Sequence, residues 1–140
     1  MPRIFDHVDL RVRSLAESGG FYRALLPLLG FTERVDIENW LQFEAQGSDA
    51  TEFFGVMEDP AHRPNRSRIA FWADSRERVD ALAAELARIG AKNIEGPGIE
   101  SASYYAVYFN DPSDNPLEIC HRTSPFNAST VHPGSRSPAP

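Results

Sequence analysis

The chain has few of the features that demand a special environment. It has one cysteine, Cys120, in 140 residues, which excludes an internal disulfide framework and a cysteine-rich zinc site. No apolar run approaches the roughly 20 residues that a membrane-spanning helix needs. Basic residues number 14 against 20 acidic ones, and the net charge of −6 argues against nucleic-acid binding, because a phosphate backbone attracts a basic surface. The N-terminus lacks the charged-then-apolar pattern of a signal peptide. We therefore expect a cytoplasmic protein with neither nucleic-acid nor membrane partners.

The amount of apolar sequence is ordinary and predicts one soluble domain. Hydrophobic residues make up 41% and charged residues 24% of the chain, which is typical of a globular protein. The apolar patterning extends to residue 122, and residues 123–140 are rich in Ser, Pro and Gly. We expect a single domain over residues 1–122 and a weakly structured C-terminal tail over residues 123–140.

The sequence contains a weak internal repeat. His7-Val8-Asp9-Leu10 is followed by Ser14 and a helical pattern that ends at Gly30, and Arg68-Ile69-Ala70-Phe71 is followed by Ser75 and a helical pattern that ends at Gly90. The offset is 61 residues at the strand and 60 at the glycine. A strand–helix unit that occurs twice predicts two similar half-sheets. At the first position of the repeat His7 corresponds to Arg68, and these two residues differ in chemistry.

Periodicity and turn residues predict the remaining elements. Each unit should contain a strand, a helix capped by serine and three short strands. The first unit is expected to have strands at 4–12, 32–37, 40–45 and 51–57, with a turn at 47–49. The second is expected to have strands at 67–73, 92–94, 104–109 and 116–121, with a break at 96–98. Gly19, Gly20 and Pro27 weaken the first helix, which we expect to fray or bend.

These stretches together resemble one family. Phe5-Asp6-His7-Val8, Phe21-Tyr22-Arg23, Leu29-Gly30-Phe31, Arg68-Ile69-Ala70-Phe71 and 110–119 occur in the order and at the spacing of the vicinal oxygen chelate superfamily of glyoxalases, bleomycin-resistance proteins and extradiol dioxygenases. The resemblance implies an α+β fold of two βαβββ modules, about residues 4–58 and about residues 67–122. In that fold the sheets curve into a cup with the helices outside.

The resemblance also implies a small-molecule site in the cup, often around a divalent metal. The family's ligands are a histidine on the first strand, a glutamate ending the first module, a histidine opening the second module and a glutamate on the last strand. His7 matches the first position and Glu118 the last. Glu52 is a doubtful candidate for the second, because a slip of one residue would turn its side chain to the other face.

Strand alternation gives an independent prediction for the same residues. If Val8, Phe71 and Ile119 pack under the helices, the opposite face of each strand carries the polar residues. That face would hold His7, Asp9, Arg11, Arg68, Trp72, Glu118 and Cys120. An ordinary antiparallel sheet with one wetted face would show the same alternation. We expect Glu118 to be the catalytic carboxylate, and Arg68, Trp72 and Tyr104 to contact a substrate.

Arg68 departs from the family pattern, because a guanidinium stays protonated and cannot coordinate a metal. At 4 Å two unit charges repel by roughly 4 kcal/mol at an effective dielectric of 20, and a divalent ion doubles that. We therefore expect the metal site to be weakened or absent. Arg68 would instead pair with Glu118 or present a two-pronged donor to a carboxylate or phosphate.

Two functions with a ligand remain open from sequence, beside the lesser possibility that the cup has no ligand and the chain is a subunit of an assembly. One is a small-molecule-binding protein of the drug-sequestering kind, without a metal. The other is a metal-dependent lyase, isomerase or dioxygenase that acts on a small oxygen-bearing substrate. The resemblance also implies a homodimer.

Overall fold

The computed structural model describes residues 4–47 and 52–123. The chain divides into two compact units, residues 1–63 and residues 64–140, which contain module one and module two. Module one consists of β1 (His7–Val12), α1 (Leu15–Leu29), β2 (Phe31–Ile37), β3 (Trp40–Ala45) and β4 (Phe53–Glu58). Module two consists of β5 (Ile69–Trp72), α2 (Arg76–Ile89), β6 (Lys92–Ser101), β7 (Tyr104–Asn110) and β8 (Pro116–Arg122).

Both modules have the same topology. The strand orders are β1-β4-β3-β2 and β5-β8-β7-β6. In each sheet the first strand pairs in parallel with the last, and the other pairs are antiparallel. The predicted α+β class and the predicted repeat of a βαβββ unit are confirmed.

The helices begin and end where the sequence predicts. The hydroxyls of Ser14 and Ser75 accept hydrogen bonds from the amides three residues later, and Gly30 and Gly90 end the helices in the left-handed region, at φ 113° and 104°. Pro27 lies inside α1, which is nevertheless one continuous helix. Pro27 falls in the last turn, so it does not divide the helix.

Burial follows the predicted alternation. Phe54 and Val56 of β4 are buried, as are Leu41 and Phe43 of β3, and Tyr22 of α1 stacks on Phe54 with ring centroids 6.0 Å apart. In module two the buried set lies on β5, α2, β7 and β8: Phe71, Val79, Leu82, Leu86, Val107, Phe109, Leu117 and Ile119. One face of each sheet therefore packs on its helix. We call the opposite face the helix-free face.

The strand boundaries differ from the predictions mainly in β6. The sequence suggested a strand at 92–94 and a break at 96–98, but β6 runs from Lys92 to Ser101. Register shifts accommodate the irregular segment, and the Gly96–Pro97 peptide bond is cis. Bulges let an edge strand keep its pairing through residues that would interrupt a regular ladder. The first strand of each module begins later than predicted. β1 begins at His7 rather than at residue 4, and β5 begins at Ile69 rather than at residue 67.

The turn between β7 and β8 is organised by a buried aspartate. Oδ1 of Asp111 accepts hydrogen bonds from the amides of Ser113 (2.8 Å) and Asn115 (2.9 Å), and Oδ2 accepts one from the Asn115 side chain (2.8 Å). Asp111 and Ser113 are fully buried. These bonds fix the hairpin that carries Tyr104 and Glu118.

Three predictions fall wholly or partly outside the described residues. They are the predicted turn at 47–49 beyond residue 47, the start of the predicted strand at 51, and the C-terminal tail beyond residue 123.

Candidate functional site

The repeat, combined with the strand registers, shows which positions of the two helix-free faces correspond. In module one Gly55 of β4 pairs with Asp9 of β1 on one side and with Gln42 of β3 on the other. In module two Ala70 and Tyr108 lie opposite Glu118 in the same way. Gly55 is therefore the counterpart of Glu118, and by the same registers Trp40 is the counterpart of Ala106.

His7 lies at the start of β1 on the helix-free face of module one. Its ring stacks on Phe53, its register partner, with centroids 4.3 Å apart and planes 5° from parallel. Its Nδ1 is 2.8 Å from Oδ2 of Asp6. This contact orients the imidazole ring.

Gly55 has no side chain because Trp40 lies against it. A Cβ built on Gly55 would come within 2.6 Å of Cη2 of Trp40. The indole Nε1 donates to Oε1 of Gln42 at 3.2 Å, which holds the ring over the sheet. Module one therefore presents an aromatic surface at the position where module two carries a carboxylate.

Glu52 is not the counterpart of Glu118. It precedes β4, is exposed, and lies one residue before Phe53, the register partner of His7. The nearest carboxylates in the sequence, Glu52 and Glu58, are each three residues from Gly55.

Module two carries the clearest cluster of polar side chains on a helix-free face. Glu118 is 5% exposed, and its Oε2 accepts a hydrogen bond from the Tyr104 hydroxyl. The Tyr104 side chain packs on the buried cluster of Ala106, Tyr108 and Cys120. Because Ala106 and Cys120 are small and pair across β7 and β8, the Tyr104 ring can lie across them and reach Glu118.

The environment keeps the two neighbours of Glu118 protonated. Burial, together with hydrogen bonds to Glu118 and Cys120, raises the pKa of Tyr104 far above its ordinary value. Burial also raises the pKa of the Cys120 thiol, and the negative charge of Glu118 adds to that rise, while a hydrogen bond to Tyr104 opposes it. Both groups are therefore neutral donors at physiological pH, and neither is a ready nucleophile.

Arg68 immediately precedes β5 and contacts Tyr108. Its guanidinium carbon lies 4.9 Å from the centroid of the Tyr108 ring, and Tyr108 is the register partner of Glu118. Its Nε is buried and has no hydrogen-bond partner among the described residues. Arg68 thus contacts the residue that pairs with Glu118 across β7 and β8.

Trp72 is the register partner of Cys120 on the same helix-free face. It is 58% exposed, and its described ring contact is with His121, with centroids 5.2 Å apart. Of the predicted site residues in module two, the structure joins Tyr104 to Glu118 by a hydrogen bond, and it places Arg68 against Tyr108, the register partner of Glu118.

The residues present do not fit the family's four-ligand metal centre. One ligand position holds the permanently charged guanidinium of Arg68, and the counterpart of Glu118 is Gly55. Within residues 4–47 and 52–123, no group of three or more His, Cys, Asp or Glu side chains is arranged to hold a metal ion. His7 and Glu118 are the matching ligand types that remain.

Two contributors to these faces, Gly55 and Tyr108, were missed as specific site residues from sequence. The missed signal was a change in the repeat offset, from 61 residues between β1 and β5 to 63 residues between β4 and β8. Applying the second offset to Glu118 gives Gly55. Tyr108 is one of many aromatic residues in the sequence, and its contact with Arg68 depends on the pairing of β7 with β8.

Known proteins resemble the chain over most of its length. The model of the Glyoxalase/Bleomycin resistance protein/Dioxygenase superfamily matches residues 4–119. The structure of a glyoxalase/bleomycin resistance protein from Albidiferax ferrireducens T118 has 31% identity and a TM-score of 0.71, over 86% of this chain and 100% of that chain.

A more distant similarity shows the shared fold alone. The fosfomycin resistance protein FosX from Listeria monocytogenes, complexed with Mn(II) and sulfate, has 20% identity and a TM-score of 0.63, over 89% of this chain and 94% of that chain. No curated protein matches the chain. Among the described residues, neither helix has the length and apolar character needed to cross a membrane.

Proposed function

Because the chain belongs to the glyoxalase/bleomycin resistance protein/dioxygenase superfamily, we propose that it binds a small molecule on the helix-free faces of its sheets, and that it does so without the family's complete metal centre. The observation that carries this proposal is the position of Arg68. At the point where the family has its second histidine, this chain has a guanidinium that is held against Tyr108 and cannot become a metal ligand.

The aromatic surface of module one supports the same proposal. Trp40 covers Gly55, and a glutamate at position 55 would have to displace the indole ring. Loss of a carboxylate at one ligand position and gain of a cation at another both disfavour a divalent ion. Both changes favour a ligand that offers a flat apolar group or a negative charge.

Glu118 and Tyr104 form the reactive part of the proposed site. Glu118 is the one buried carboxylate on the described helix-free face of module two, and it is the proposed proton acceptor. Tyr104 holds Oε2 of that carboxylate by a hydrogen bond and is the proposed contact for a ligand oxygen. Trp72, which is exposed near the end of β5, is proposed to contact the ligand periphery.

A metal-dependent lyase, isomerase or dioxygenase is the second candidate, and His7 favours it. Its Nδ1 contacts the Asp6 carboxylate at 2.8 Å, the outer contact that metal-binding histidines characteristically make. In that case His7 and Glu118 would be the metal ligands, with Glu52 as the doubtful third. The two candidates differ in whether the native chain binds a divalent ion.

Restoring the family's ligands tests this proposal. We expect Arg68→His to gain affinity for Mn²⁺ over the wild-type chain, measured by titration of free Mn²⁺ with electron paramagnetic resonance. A triple variant also gives module one the residues that module two has at the corresponding positions: Arg68→His/Trp40→Ala/Gly55→Glu. It should gain more affinity for Mn²⁺ than Arg68→His alone. Arg76→His, on α2, is the matched control for a new histidine. If neither variant binds Mn²⁺ more tightly than Arg76→His, Arg68 is not what weakens the site.

The assembly and cellular location of the chain are proposals of the same kind. We propose a homodimer in the cytoplasm, from the family resemblance and from the composition. Sedimentation at several protein concentrations tests the dimer, since a monomer at all of them would contradict it.

A further inference from the structure

We infer that Arg68 recognises a carboxylate group on the ligand, through its Nε edge. This inference rests on the proposed function, and it names the ligand class as an organic monoanion. The residues that carry it all belong to module two: Arg68, Tyr108, Tyr104, Glu118 and Arg122.

The first observation that supports this inference is the buried Nε of Arg68. That atom has no hydrogen-bond partner among the described residues, although a buried donor without a partner is costly. The guanidinium has five N–H donors in a fixed fork, and the Nε–H and one Nη–H point in parallel. A carboxylate accepts two such parallel bonds, and it also neutralises the charge.

The surroundings hold this edge in place. The guanidinium lies over the Tyr108 ring at 4.9 Å, which restricts the plane of the fork. Glu118, the neighbouring buried carboxylate, is hydrogen-bonded to Tyr104. The internal carboxylate is therefore already engaged by a neutral donor, while Nε is still unsatisfied. An external acceptor fits this arrangement better than an internal ion pair.

Charge decides between carboxylate and phosphate. The described charges on this face include Arg68 and Arg122, both positive, and two carboxylates, Glu118 and Glu95, the register partner of Tyr108 on β6. Tyr104 and Cys120 are held neutral by their raised pKa values. A dianion would bring two further negative charges beside these carboxylates and a monoanion only one, so a monoanion is repelled less. The same Nε edge could accept a phosphonate, and the balance of charge favours the carboxylate.

Nitrogen-15 NMR of the arginine Nε–H groups gives a direct test. The probe is benzoate, with the neutral isostere benzamide as its control and phenylphosphonate as the alternative anion, at a pH at which phenylphosphonate is a dianion. The Arg68 resonance is the one that disappears in Arg68→Lys. We expect benzoate to shift this resonance saturably and benzamide to leave it unchanged. Phenylphosphonate should bind more weakly than benzoate.

Variants distinguish the contribution of the forked N–H donors of Arg68 to benzoate binding from the contribution of its charge. Arg68→Lys keeps the charge but loses the fork and should weaken benzoate binding about tenfold or more, in line with the loss of a charge-assisted hydrogen bond. Arg76→Lys is the matched control, because Arg76 also lies over a tyrosine, Tyr105, at 5.4 Å, but donates to the carbonyl of Ala102. It should bind benzoate as the wild type does.

The outcomes distinguish this inference from the proposed function. If benzoate shifts no arginine Nε–H resonance saturably, or if Arg68→Lys binds it unchanged, the inference is wrong. Tighter binding of phenylphosphonate would replace carboxylate by phosphonate and would contradict the charge argument. Stoichiometric binding of Mn²⁺ by the wild-type chain would overturn the proposed function itself, whatever benzoate does.

Discussion

At the scale of single residues, the pair Trp40 and Gly55 decides what module one offers to a ligand. The equivalent pair in module two is Ala106 and Glu118. Module one therefore has its large side chain on β3, and module two has its large side chain on β8. The indole lies where a side chain at position 55 would begin. The aromatic character of one face and the acidic character of the other thus depend on one glycine and one alanine.

Gly55→Ala should destabilise the chain because the new Cβ collides with the Trp40 ring. We expect a loss of about 1–3 kcal/mol in the free energy of unfolding, the usual cost of overpacking, measured by urea denaturation. In the Trp40→Ala background the same substitution should be neutral or stabilising, because alanine loses less backbone entropy than glycine in a strand. Equal effects in both backgrounds would contradict the contact.

Tyr104 should make the stability of the chain sensitive to alkaline pH. Its pKa is raised in the folded state by burial and by the hydrogen bond to Glu118, so the unfolded chain loses the phenol proton first. The stabilisation is complete below the unfolded pKa of about 10 and declines as the pH rises above that value.

The measurement is the urea midpoint from neutral to strongly alkaline pH. Tyr104→Phe should show a shallower decline than the wild type. Tyr105→Phe is the control, since the pKa of Tyr105 is also raised but its hydrogen bond to Asp80 is exposed, and it should alter the decline less. A wild-type curve that matches Tyr104→Phe throughout would contradict the buried hydrogen bond.

At the scale of elements, the β7–β8 turn positions the candidate site, because it sets the pairing of Tyr108 with Glu118. Asp111→Ala should cost about 2–4 kcal/mol, since it leaves two buried amides without their acceptor, as measured by urea denaturation. Asp59→Ala is the matched control: Asp59 accepts one bond from the Ala61 amide in an exposed turn. Comparable losses in the two variants would mean that the Asp111 network does not hold the hairpin.

Local signals in the sequence predicted the helices and most strands well. Serine at the start and glycine at the end bound both helices, and alternation identified the helix-free faces. The course of β6 could not be predicted, because the residues at 96–98 usually end a strand and only pairing with β7 carries it through. Glu52 is the sequence's candidate because it precedes an apolar strand, whereas the register, which depends on long-range pairing, points to Gly55.

At the scale of the whole molecule, the chain belongs to the family, and its proposed function depends on two departures from the family's ligand set. The repeated module and the family could be predicted from order and spacing, because many weak motifs agree. The contact of Arg68 with Tyr108 could not be predicted, since the two residues lie 40 positions apart in the sequence. In the proposed function, Arg68 and Gly55 hold two of the family's ligand positions, and neither supplies a metal-binding side chain.

The binding of Mn²⁺ by the wild-type chain, purified without chelator and titrated at low ionic strength, tests this claim most directly. With a guanidinium at one ligand position and glycine at another, we predict that no stoichiometric Mn²⁺ site is found. One tightly bound Mn²⁺ per chain would contradict the account, because it would require a metal centre that assembles despite Arg68.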